Sequence, residues 1–178
     1  MIIGLVGRSR SGKDTVARLM PMFEIRRIAQ PVKDSLKCLY GWDDRHTEGQ
    51  YKEVIDPCVG KSPRQAMIET AERVKQESGQ DFFIEMLLDN WDGKKNIVIP
   101  DVRFQNEINA IRRFGGLLVK VDRKLSSYFP WENHIDNLVT DYTLHNTNLQ
   151  SLRLQVAELL ELVNRVYERA EQSSRRGF

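Results

Sequence analysis

Three short apolar runs, at residues 2–6, 97–99 and 117–121, punctuate a chain that is otherwise mixed in polarity. They lack the alternation of a sheet with one wet face, so each reads as a strand buried on both sides. Between them the apolar positions recur at helical spacing. A helix is predicted from about Gly12 towards Pro21, and a second from Pro31, at its first position, through Val32 and Leu36 to Gly41. Ser62-Pro63-Arg64-Gln65 supplies a cap, a first-position proline and a capping-box glutamine for a third. That helix carries Ala66, Ile68 or Met67, and Val74, and stops near Gly79. Asp81 caps a fourth, with Phe82, Phe83, Met86, Leu87 and Leu88. Ile108 and Ile111 mark a fifth between Arg103 and Phe114, closed by Gly115-Gly116. Leu149, Leu152, Val156, Leu159, Val163, Val166 and Ala170 form one face of a long last helix. Residues 23–29 and 142–144 are weaker strand candidates.

Strands that alternate with helices and stay apolar throughout imply a parallel sheet covered on both faces. The predicted fold class is therefore a three-layer α/β domain of about five strands. The chain has 178 residues, which suits a single domain over 1–172 followed by a flexible tail at 173–178. Residues 42–60 and 123–137 are polar connections without clear period, the first read as a long and mobile one. In such sheets ligands sit at the carboxyl ends of the strands, where Gly7 and Asp101 fall.

Composition adds little beyond exclusions. The net charge of +2 gives no support to direct nucleic-acid binding. Cys38 and Cys58 show no CxxC pairing and read as reduced thiols of a cytoplasmic protein. No run approaches the ~20 apolar residues of a membrane helix. The three histidines, His46, His134 and His145, lack ligand spacing, so no protein-bound zinc site is expected.

The chemistry is concentrated after the first strand. Gly7-Arg8-Ser9-Arg10-Ser11-Gly12-Lys13 satisfies GxxxxGK, directly behind a strand and ahead of a helix. Glycines let the backbone wrap a phosphate closely, amide hydrogens point inward, and the helix amino end adds positive potential. Lys13 then bridges the terminal phosphates as a point charge. Asp14 stands where the strict pattern has Ser or Thr, and Thr15 follows. The hydroxyl for Mg²⁺ is thus assigned to Thr15, or the ion relies on water and phosphates. The pattern favours small-molecule kinases over switch GTPases, and no guanine-reading NKxD is present.

Asp101 ends the second clear strand in a Walker B-like position, able to orient Mg²⁺ through water or to hold an acceptor group. Arg103 is placed to reach the transferred phosphate or that of the acceptor. The plain alternative has Asp101 capping the next helix and Arg103 in solvent. Lys33 and Asp34 at a helix start suit an acceptor phosphate, and equally a surface charge pair. Arg64 has the same two readings. Asn146 could read an adenine edge or serve as a turn residue.

Together these residues resemble the phage deoxynucleoside monophosphate kinase family, with animal phosphomevalonate kinase as a more distant relative. The resemblance runs from Met1 to about Leu160. It is carried by Ser11-Gly12-Lys13-Asp14-Thr15, Ala29-Gln30-Pro31-Val32-Lys33-Asp34, Ser62-Pro63-Arg64, Asp81-Phe82-Phe83, Pro100-Asp101-Val102-Arg103 with Glu107, and Leu144-His145-Asn146. It implies a P-loop NTPase fold and transfer from MgATP to a (deoxy)nucleoside monophosphate in the cytoplasm, that of the host for a phage enzyme. It also implies Lys33 and Arg64 facing the acceptor, Asn146 near the donor adenine, and Arg123 and Lys124 in a lid. Lid closure should exclude water. The family's His-x-x-Glu appears here as His134-Ile135-Asp136-Asn137, without the glutamate. Base and sugar preference stay open, as do monomer and homodimer.

Overall fold

A computed structural model describes residues 1–124 and 130–175. Its five strands form one parallel sheet. Ile2–Val6 (β1) lies at the centre, between Ile97–Val102 (β3) and Leu117–Asp122 (β4). Glu24–Ile25 (β2) and Tyr142–His145 (β5) are the edges, giving the order β2-β3-β1-β4-β5. All five residues of β1 are buried, as a central parallel strand requires. The strand candidate at 23–29 shrinks to two residues, because the chain must leave the sheet to enter the next helix.

The helices are Lys13–Arg18 (α1), Gln30–Tyr40 (α2), Asp44–Thr47 (α3), Pro63–Ser78 (α4), Phe82–Asp89 (α5), Gln105–Arg113 (α6) and Leu149–Arg175 (α7). Period-two alternation along β1 splits the core. Ile2 and Val6 face α2, α4, α5 and α6 through Val32, Leu36, Ala66, Phe83, Ile108 and Ile111. Ile3 and Leu5 face α1 and α7 through Val16, Met20, Leu152, Val156 and Leu159. These two apolar layers enclose the sheet and give the three-layer architecture.

One irregularity positions the site. Gly4 pairs with Ile99 but Val6 pairs with Val102, so three residues of β3 answer two of β1. Pro100 has no N–H for the ladder, and a bulge is where a strand tolerates it. The bulge re-aims Asp101 at the carboxyl end of the sheet.

Several expectations need correcting. Pro31 is the second helical residue of α2, not the first. In α4 it is Met67 that packs on the core, while Ile68 is half exposed. Residues 42–60 are built structure: Trp42 is buried and donates Nε1–H to Asp56 at 2.7 Å, and an Asp43–His46 capping box starts α3. Part of the 123–137 connection is a 3-10 segment, Pro130–Asn137; residues 125–129 lie outside the described residues. On α7 Leu149 is half exposed, and the side chains of Val166 and Ala170 lie outside the described set. The helix runs on through residues 173–175, the start of the expected tail, and 176–178 lie outside the described residues. Among the described residues no helix is long and apolar enough to cross a membrane.

Candidate active site

The loop Gly7–Lys13 follows β1 and folds tightly on itself, Ser11 N donating to Arg8 O at 3.1 Å. Its curvature needs glycine at Gly12, where φ is +105° and an added Cβ would run into the Asn146 amide. At Gly7 a Cβ would meet Val121 O at 2.6 Å, so the loop's closeness to β4 depends on that residue too. The neighbouring strand ends hold the loop in place. Asn146, just after β5, donates Nδ2–H to Ser11 O at 2.7 Å, and Arg123, just after β4, donates to Arg10 O at 3.4 Å. Ser11 is buried, and among the described residues its hydroxyl has no hydrogen-bond partner.

Lys13 opens α1 and is only 8% exposed. Its amine arches back and donates to Gly7 O at 2.7 Å and Arg8 O at 2.8 Å. Burial, reinforced by the nearby Arg103 guanidinium, pulls its pKa down to about 8. An amine held this way has much to gain from an anion.

Asp14 forms an ion pair with Arg27 at 2.7 Å, tying α1 to the stretch that leads into α2. Thr15 sits half-buried in the first turn of α1. The Asp101 carboxylate accepts from Ile28 N and Ala29 N, each at 3.0 Å, and so anchors the entry to α2. The following helix takes its amino-end contact from elsewhere. Glu107, buried within α6, accepts from Arg103 N at 2.7 Å and Phe104 N at 3.1 Å, and burial pushes its pKa up. The reading of Asp101 as cap of the next helix is therefore replaced by a bond back to α2. Among the described residues no three acidic, histidine or cysteine side chains could hold a metal ion. A divalent ion here would depend mainly on phosphate oxygens and water, with Thr15 and Asp101 the protein groups at hand.

Across from the loop lie the residues read as acceptor-facing. Lys33, buried on α2, pairs with Glu48, and Arg64, in the first turn of α4, pairs with Glu53. An Arg103 guanidinium nitrogen lies 3.9 Å from Glu132. Asp34 is turned away into an exposed network, accepting from Gln30 Nε2 at 2.8 Å with Lys37 at 3.9 Å. Lys13 thus has Arg103 and Asp101 among its electrostatic neighbours, Lys33, Arg64 and Arg103 share Lys52 as theirs, and Asp34 is exposed.

Glu132 escaped the sequence reading, which sought a glutamate three residues after His134. It stands two residues before, is 1% exposed, and accepts from Ser9 N at 2.9 Å and Ser9 Oγ at 2.7 Å. Its 3-10 segment is fixed to the site by two further contacts. Asp136 pairs with Arg8 and Lys120, and His134 donates Nε2–H to Arg103 O at 2.9 Å while its ring stacks on Phe104. The only usable signal was an acidic residue beside Trp131 in a polar loop, which is weak.

A phosphate loop with an arching lysine, on a parallel sheet of order 2-3-1-4-5, defines a P-loop kinase of the small-molecule type. A protein of Acanthamoeba polyphaga mimivirus, named provisionally as a deoxynucleotide monophosphate kinase, is 30% identical over 151 residues, covering 69% of this chain and 74% of the relative. The chain belongs to the deoxynucleotide monophosphate kinase family. No family model matches it. Among solved structures, TT1252 from Thermus thermophilus superposes with a TM-score of 0.50 and 17% identity, over 92% of this chain and 97% of the other. Shikimate kinase from Aquifex aeolicus gives 0.47 and 15%, over 90% and 96%.

Proposed function

We propose that the protein transfers the terminal phosphoryl group of MgATP to a (deoxy)nucleoside monophosphate, giving ADP and the diphosphate. One observation carries this reading: Arg103 stands within electrostatic reach of Lys13, and with Lys33 and Arg64 it also surrounds Lys52, so a second phosphate-bearing substrate would meet several cations next to the donor. Mg²⁺ enters with ATP as part of the substrate. An oxygen of the acceptor phosphate attacks the terminal phosphorus in line, and the bond to the bridging oxygen breaks with ADP as leaving group. The attacking oxygen is already anionic, so no strong base is required. Lys13 and Arg103 neutralise the charge that spreads over the transferred group. Asp101 keeps α2, and with it Lys33, in register with the loop. Arg123 and Asn146, which bond the carbonyls of Arg10 and Ser11, are assigned to the donor side, Asn146 near the adenine.

An ADP-release assay across ribo- and deoxynucleoside monophosphates tests this directly. Acceptor-dependent ADP formation with at least one of them is expected. Turnover of phosphomevalonate alone would move the protein to another acceptor class. ATP binding with no acceptor-dependent turnover would reduce it to a nucleotide-binding module.

A further inference from the structure

The turn at residues 48–53 carries a charge that its surroundings, Glu48 apart, do not answer. Glu48 and Glu53, at its ends, pair with Lys33 and Arg64. Between them stands Lys52, half-buried, with its carbonyl accepting from Arg64 N at 2.9 Å and its own N–H donating to Gly49 O at 3.3 Å. The bond to Arg64 N fixes the Lys52 backbone against the first turn of α4. Among the described residues no carboxylate forms an ion pair with the Lys52 amine. Its electrostatic neighbours are Glu48 on one hand and Arg64, Lys33 and Arg103 on the other, and burial depresses its pKa. A half-buried ammonium crowded by three cations is costly unless something anionic joins them. The carboxylates now serving Lys33 and Arg64 are 45% and 64% exposed, so they can return to water at little cost when a phosphate arrives.

We propose that Lys52 binds the acceptor's phosphate, as a further cation of the seat formed by Lys33, Arg64 and Arg103. This rests on the acceptor reading above. A monophosphate dianion can satisfy several of these groups at once, whereas a phosphodiester has one charge less and one oxygen fewer to offer. The seat thus favours a terminal phosphate over a phosphodiester within a polymer.

Kinetics with Lys52→Met, which keeps the apolar stem and removes the charge, separate binding from packing. With the best acceptor of the panel, its KM should rise about tenfold or more while the ATP KM stays within about twofold, and Lys52→Arg should recover most of the loss. An acceptor KM unchanged in Lys52→Met overturns the proposal. Differential reductive methylation of the wild-type protein, read by peptide mass spectrometry, gives an answer that does not depend on the variant folding. Labelling of Lys52 should slow in saturating acceptor and in inorganic phosphate, and undiminished labelling in both overturns the proposal. If no monophosphate is turned over, the acceptor reading falls by itself, and the inorganic phosphate arm still decides whether Lys52 holds a phosphate.

Discussion

Seven consecutive residues, Gly7 to Lys13, make the phosphate loop, whereas the cations proposed to meet the acceptor come from α2, the 48–53 turn, α4 and the residue after β3. The two regions meet the same chemical group with different means. The loop offers backbone amides whose directions are set by local conformation, and strand-end residues such as Asn146 brace it. The proposed acceptor side offers long side chains, three of them, Lys33, Arg64 and Arg103, already leaning on a carboxylate. Backbone donors cost no side-chain entropy on binding and act alike on any triphosphate. Side-chain cations can be repositioned, added or lost singly, so on the proposed reading acceptor choice falls to them.

The contrast is most exposed at Lys13, whose amine folds back on the loop carbonyls yet has Arg103 as an electrostatic neighbour. Lys13→Ala should lower acceptor-dependent turnover by about a hundred- to a thousandfold, the scale for removing one preorganised charge partner of a transition state. Acceptor protection of Lys52 from labelling should survive, since that seat is separate. Turnover close to wild type would break the division of labour outright.

The same contrast explains what the sequence made legible. The loop is a local pattern: GxxxxGK between a strand and a helix specifies its partners within a few residues, and β1, β3 and β4 announce themselves as apolar runs. Asp101 and Arg103 were recognisable because they end such a strand. The proposed acceptor side has no local signature. Lys52, Glu48 and Glu53 lie in a stretch without period, which holds its shape because Trp42 and Thr47 are buried and Trp42 bonds Asp56 across fourteen residues. Glu132 touches Ser9 across 123 residues, and nothing near it in the chain anticipates that. Asp34 looked like its neighbour Lys33, yet one step along a helix turns a side chain by about 100°, and Asp34 is exposed where Lys33 is buried. Asp101's bonds to Ile28 N and Ala29 N depend on the bulge at Pro100, whose place in the sheet is visible only once β1 and β3 are paired.

A pH effect should separate the regions without any substitution. The free Lys13 amine titrates at about 8, well below its ordinary 10.5, because it is buried. A bound triphosphate surrounds it with negative oxygens and raises that value, so above pH 8 the complex holds a proton that the free protein has lost. ATP affinity should therefore be flat below pH 7 and weaken above pH 8, by at most about tenfold per unit. The free protein should show the opposite trend in stability. Between pH 8 and 10.5 the unfolded chain binds more protons at this lysine than the folded one, so this group makes folding more favourable as pH rises through that window. Calorimetric titration in buffers of different ionisation enthalpy should find proton uptake on ATP binding at pH 8.5 and little at pH 6.5. An affinity that is level through pH 9 would mean that Lys13 keeps its proton without phosphate.

Glu132 is where the two regions cease to be separate, since it accepts from Ser9 of the loop and lies 3.9 Å from Arg103 of the proposed acceptor side. Its carboxylate occupies a loop amide and brings negative charge to the place where donor phosphates must come. Glu132→Gln keeps the shape and leaves an oxygen for Ser9 N–H, but removes the charge. ATP should then bind more tightly, by about threefold, a modest change because part of the repulsion is already offset by Arg103 and Lys13. Turnover should fall at the same time, because Arg103 loses the attraction that keeps its guanidinium between donor and acceptor. Equilibrium titration with a fluorescent ATP analogue, paired with steady-state rates, checks both signs. Weaker nucleotide binding in the variant would instead make Glu132 a brace for the loop, and the donor side would then depend on the 3-10 segment as much as on its own seven residues.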